Sequence, residues 1–127
     1  MHVKPIFGEV DMSVDHALKL LVENRITGFP IVDAKKKVIG IISEYDLIVQ
    51  LSEKINSDPG VFGETIKFSS KTICVKEETP VSDVENIFIN DRVRRVPVVD
   101  ELGKLIGIVT RRDLMRHYFI LGKFAHN

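Results

Sequence analysis

The 127-residue chain reads as a mixed α/β (α+β) protein made of two β-α-β-β-α repeats packed as one pseudo-two-fold module. Internal repetition is the first observation behind that reading. At an offset of 67, residues 14–51 lie on residues 81–118 without a gap. Pro30 falls on Pro97, Asp33 on Asp100, Gly40 on Gly107, Asp46 on Asp113 and Leu47 on Leu114, and several other pairs exchange one aliphatic side chain for another, such as Ile31 for Val98 and Val38 for Leu105. The second observation is periodicity: in each copy an apolar stripe at helical spacing precedes two short β-rich runs divided by a polar turn. The third is composition. With 44% apolar and 28% charged residues the chain is an ordinary globular one, long enough to bury a core without staples.

The elements follow in order. A short strand precedes each first helix, clear at Thr72-Ile73-Cys74-Val75 and weaker at 3–7. Ser13 starts the first helix, and Ala17, Leu18, Leu21 and Val22 give it one apolar stripe. Thr79-Pro80 starts its counterpart, with Pro suited to the first helical position and Val84, Ile87 and Phe88 as the stripe. Pro30-Ile31-Val32 and Pro97-Val98-Val99 are strands with proline at the entrance, where its missing N–H costs least. A polar turn from Asp33 or Asp100 leads to a second strand, 38–42 or 105–109, closing a hairpin. A second helix begins at Ser43 or Thr110. The domains are expected at 1–55, with an amino end that looks clipped, and at 69–127, joined by a turn-rich linker at 56–68. One copy alone cannot cover its sheet, hence the single module.

Several functions are disfavoured at once. Eighteen basic and eighteen acidic residues cancel, so bulk charge argues for neither nucleic acid nor an anionic membrane. Apolar runs fall far short of a membrane span and Met1-His2-Val3-Lys4-Pro5 lacks signal-peptide shape, so a cytoplasmic protein is expected. A single cysteine allows no internal disulfide or paired-cysteine site, and Cys74 lies in an apolar context that suits a core residue. His2, His16, His117 and His126 show no metal-ligand spacing. No nucleophile is set beside a base, so no enzyme is expected.

The chemistry concentrates where each second strand meets its helix. Gly40-Ile41-Ile42-Ser43-Glu44-Tyr45-Asp46 is matched by Gly107-Ile108-Val109-Thr110-Arg111-Arg112-Asp113. A hydroxyl at a helix start caps the backbone, and the free N–H groups there attract phosphate. A carboxylate three residues later can accept both hydroxyls of a ribose. Glycine in the preceding strand lets a ligand ring approach the backbone. Ser-x-x-Asp and Thr-x-x-Asp also serve as capping boxes with no ligand at all. Their paired occurrence, each after an apolar-Pro-apolar-apolar-Asp strand, favours the ligand.

Gly28-Phe29-Pro30-Ile31-Val32-Asp33 with 40–46, repeated at 95–100 with 107–113, resembles the signature of tandem cystathionine-β-synthase (CBS) domains, the Bateman module. The resemblance covers nearly the whole chain. It implies clefts between the repeats that bind adenosine-containing ligands such as AMP, ADP, ATP or S-adenosylmethionine. It places phosphate on Ser43 or Thr110 and ribose on Asp46 or Asp113. The base is framed by the apolar-Pro segments (Gly28, Phe29 and Pro30; Val96 and Pro97) and by the strand before the helix, including Thr72. It further implies a regulatory role, expected to be exerted in trans on another protein or within a larger chain of which this is a piece, and a homodimer formed through the helices bearing Leu47, Ile48, Leu51, Leu114, Met115, Tyr118 and Phe119.

Arginine separates the copies. Arg94 and Arg95 precede Val96-Pro97 where the first copy has Thr27 and Gly28, and Arg111 and Arg112 adjoin Asp113. A guanidinium offers phosphate a planar fork, so the Thr110/Asp113 site is expected to be the better phosphate site. Solvated ion pairs are the plain alternative for these arginines. Two other functions stay open: an interaction module without ligand, and nucleic-acid binding through the basic cluster from Arg92 to Arg116. The latter lacks the interleaved aromatic residues of a stacking platform.

Overall fold

The structure, a computed structural model, describes residues 5–125. They fall into two compact units, Ile6–Thr72 and a second running from Ile73. The first holds β1 (Gly8–Glu9), α1 (Val14–Asn24), β2 (Gly28–Val32), β3 (Val38–Ser43), α2 (Glu44–Ser52) and a 3-10 turn at Pro59–Gly63. The second holds α3 (Val81–Asp91), β4 (Arg95–Val99), β5 (Leu105–Thr110) and α4 (Arg111–Ala125). Among the described residues no helix is long and apolar enough to cross a membrane.

The turns and helix ends of the two halves repeat each other down to single bonds, whereas the side-chain cap of the first helix is found in the first half alone among the described residues. The Ser13 hydroxyl caps α1 by accepting from the His16 N–H at 3.1 Å. Helices α1 and α3 both end on an arginine in the left-handed region, Arg25 and Arg92. Asp33 Oδ1 accepts from the Lys35 and Lys37 N–H groups at 2.9 and 3.0 Å. Asp100 does the same with Leu102 and Lys104, both at 2.9 Å. The left-handed turn position holds Lys36 (φ 64°) in one hairpin and Gly103 (φ 82°) in the other.

Three expectations need correction. The pre-helix strands are shorter than expected. Thr72-Ile73-Cys74-Val75 forms no strand, only a parallel bridge from Val75 to Val98. Its counterpart is the two-residue β1, parallel to Ile31 and Val32, which lies beyond the expected 3–7; residues 5–7 form no strand, and residues 3 and 4 lie outside the described residues. Pro80 is the N-cap of α3 rather than its first residue, with no side-chain cap, because the Thr79 hydroxyl accepts from the Lys76 N–H instead. Pro30 and Pro97 stand mid-strand, opposite Ile41 and Ile108. For Pro30 the reason is visible. The N–H and C=O of Ile41 both bond Ser69, at 2.9 and 3.0 Å, so β2 needs no donor at that place.

The first core gathers Met12, Val14, Ala17, Phe29, Ile31, Ile42 and Leu47 between sheet and helices. Residues 56–68 are not a mere connection: Val61 and Ile66 are buried, and Ile66 joins this core. Buried Gln50 holds the segment, its Nε2 donating to the Thr65 carbonyl at 2.9 Å and its Oε1 accepting from the Lys67 N–H at 3.0 Å. The second core is smaller, built on Val75, Val84, Val96 and Val98. Leu47 and Leu114 belong inside their units, whereas Ile48, Met115, Tyr118 and Phe119 are exposed.

Candidate functional site

Each strand-to-helix junction is a small polar device. In the first unit the Ser43 N–H donates to Asp46 Oδ2 at 2.9 Å and the Ser43 hydroxyl donates to the same oxygen at 3.1 Å. The Asp46 N–H points back at the hydroxyl, 3.4 Å away. In the second unit the Thr110 N–H and hydroxyl reach Asp113 Oδ2 at 2.8 and 3.1 Å, and the Asp113 N–H reaches the hydroxyl at 3.2 Å. Both are reciprocal caps, so the structural duty foreseen for these residues is performed in each copy. A carboxylate has two oxygens, and the cap uses one. Asp46 Oδ1 has no partner among the described residues, while Asp113 Oδ1 meets Arg116 at 3.3 Å. The Asp113 pKa is lowered; burial pushes it up, and bonds from the Thr110 N–H and hydroxyl help to pull it down.

Strand register sets the neighbours of these caps. Gly28 lies opposite Ser43 and Arg95 opposite Thr110. Pro30 and Pro97 follow two residues along on the same faces as Gly28 and Arg95. Phe29 and Val96 point the other way, fully buried in the helix-facing cores, so only their backbone is available to a ligand. Thr72 is half-buried outside any strand. The side chains of Arg94 and Arg112 are exposed and make no bond among the described residues. Arg111 is tied down, its Nε donating to the Val93 carbonyl at 3.2 Å.

Two features escaped the sequence reading. Arg116 pairs with Asp113 across one helical turn, a contact that i,i+3 spacing could have suggested. Gly40, assigned to ligand approach, serves the chain itself. A Cβ there would stand 2.4 Å from the Ser69 carbonyl oxygen and 2.5 Å from the Phe68 ring. What comes close to that strand is residues 68–69, which pair with it.

The CBS domain family model matches residues 1–53 and 65–120. The chain is 36% identical over 129 residues to the CBS domain-containing protein CBSX1, chloroplastic, of Arabidopsis thaliana, covering 82% of this chain and 55% of that protein. It thus spans about half the length of the curated relatives CBSX1 and CBSX2. The crystal structure of CBSX2 in complex with AMP is 31% identical, with a TM-score of 0.79 over 94% of this chain and 90% of that one. The CBS domain pair of protein MJ0100, in complex with 5′-methylthioadenosine and S-adenosyl-L-methionine, is 29% identical, with a TM-score of 0.77 over 92% and 93%. Matched segments on both halves of the duplication, and structural likeness along nearly its whole length, mean that the chain belongs to the CBS-domain family as a tandem CBS pair.

Proposed function

We propose that this CBS pair is a regulatory module that senses an adenosine-containing ligand, AMP, ADP, ATP or S-adenosylmethionine, and acts in trans on a partner protein in the cytoplasm. The observation that carries the reading is the duplicated cap. Each copy sets a hydroxyl and a carboxylate at a helix start, beside a strand that brings Gly28 or Arg95 opposite the hydroxyl. A ribose diol would donate to Asp46 or Asp113, and a phosphate would meet the helix N-terminus and the Ser43 or Thr110 hydroxyl. Arg94, Arg95 and Arg112 favour the second copy for the charged ligand, with a guanidinium fork for phosphate oxygens. The complexes of CBSX2 with AMP and of MJ0100 with adenosyl ligands support this ligand class. A ligand shifts the module between arrangements only by its difference in affinity for them. Exposed Ile48, Met115 and Phe119 supply apolar surface for a homodimer.

Calorimetric titration with the four ligands, on the parent and on Asp46→Ala and Asp113→Ala, tests the reading. Micromolar binding lost in Asp113→Ala supports it. Silence from all four favours an interaction module without ligand, a reading supported by the fact that every motif hydroxyl already works as a cap.

A further inference from the structure

The two strand-to-helix junctions share a backbone and differ in charge. Gly28 stands opposite Ser43 as Arg95 stands opposite Thr110. The Glu44 N–H donates to the Thr27 carbonyl at 3.0 Å, and the Arg111 N–H to the Arg94 carbonyl at 3.4 Å. The reciprocal cap is made of the same bonds in both. On that common frame the offset of 67 replaces Thr27, Gly28, Glu44, Tyr45 and Val49 by Arg94, Arg95, Arg111, Arg112 and Arg116. Five of the seven arginines of a chain without net charge therefore gather at the second junction. The first carries two carboxylates, Glu44 and Asp46, and no cation at any of those five places. One helical turn beyond the motif carboxylate the contrast is a direct contact. Arg116 Nη1 stands 3.3 Å from Asp113 Oδ1, whereas Val49, its counterpart, has no charge to offer Asp46.

We propose that the two copies sort adenosyl ligands by charge: the second takes the ligand with a 5′-phosphate, the first takes one with a positive sulfonium at that place, and Glu44 and Arg116 are specificity-determining residues. The inference rests on the adenosyl reading above and assigns a ligand class to each copy. At the first junction a phosphate meets the carboxylates of Glu44 and Asp46, which oppose the attraction of the helix N-terminus. A sulfonium meets the same carboxylates as partners. At the second junction the arginines reverse both signs, and Arg116 offsets the charge of Asp113 so that its carboxylate can hold a ribose close to a phosphate. Because cap and strand register are alike in the two copies, side-chain charge is what separates them.

The test is an amide NMR titration of the full chain with AMP, S-adenosylmethionine and, as the nucleoside without either charge, adenosine. The amides of residues 43–46 report the first copy and those of residues 110–113 the second. Relative to adenosine, AMP should favour the second copy by about tenfold at low salt, and S-adenosylmethionine the first by about threefold. Both preferences should shrink near 1 M salt, where screening acts within about 3 Å. Arg116→Val, which copies Val49, should weaken AMP at the second copy by about threefold and leave adenosine unchanged. Glu44→Arg should strengthen AMP at the first copy by about the same factor. Both side chains are exposed, and thermal unfolding confirms that the variants fold. The same copy favoured by both charged ligands, or an AMP preference indifferent to salt and to both substitutions, overturns the proposal while adenosine binding keeps the adenosyl reading standing. No saturable shift from any of the three at millimolar concentration overturns the adenosyl reading itself, and the sorting with it.

Discussion

Replacing Asp113 with alanine separates the two duties assigned to its carboxylate. The structural duty is measurable from the cap. Oδ2 accepts from the Thr110 N–H at 2.8 Å and from its hydroxyl at 3.1 Å. The Thr110 hydroxyl still caps the N–H of residue 113 in the variant, so the loss is that of these two bonds, chiefly the Thr110 N–H left without its partner, about 1–2 kcal/mol. The Arg116 pair adds little, because that guanidinium is 64% exposed. A loss of about 1–2 kcal/mol should lower Tm by roughly 5–10 °C for a domain of this size. The ligand duty is larger: two ribose hydroxyls donating to an ionised carboxylate contribute about 1.5–3 kcal/mol each, so Kd should rise at least tenfold. Thermal unfolding and calorimetry at 20 °C, well below Tm, read the two effects separately. A fall in Tm with Kd unchanged would refute the ligand role and leave the carboxylate as a cap alone. Acid adds a second readout. The Asp113 pKa is lowered in the folded protein, so its stabilisation is present above the unfolded aspartate value and fades as pH falls through the lowered one. The Tm gap between parent and Asp113→Ala should therefore narrow between pH 7 and pH 3.

Other predictions follow from single contacts. Lys36→Gly should stabilise by about 1 kcal/mol in thermal unfolding, since a positive φ of 64° suits glycine, as Gly103 shows in the other hairpin. Gly40→Ala should destabilise by about 1–3 kcal/mol and speed hydrogen exchange at the Ile41 and Ser69 amides, because its Cβ would collide with Ser69; unchanged exchange would contradict the close approach. Gln50→Ala strips partners from the Thr65 carbonyl and the Lys67 N–H, and should cost about 2–3 kcal/mol and expose the Lys67 amide to exchange. Partial burial raises the Cys74 pKa, so alkylation at pH 8 should run slower than in urea; equal rates would show an accessible thiolate.

What the amino-acid sequence determined by itself is what short-range rules encode. The duplication is visible from comparing the chain with itself, and the helix stripes, the Asp33 and Asp100 turns and the Ser43 and Thr110 caps depend on residues a few positions apart. Spacing alone is enough to read them. Tertiary structure decided what distant segments do to one another. Pairing of Ser69 with Ile41 is not written in any local period, yet it explains why Pro30 is tolerated mid-strand and why position 40 must be glycine. The same reason accounts for residues 56–68, whose turn-rich composition gave no sign that Val61 and Ile66 would be core. Nor could the repeat itself show that its copies differ. Val14 and Val81 occupy equivalent places with the same side chain, and only the segment packed over the first makes one buried and the other exposed.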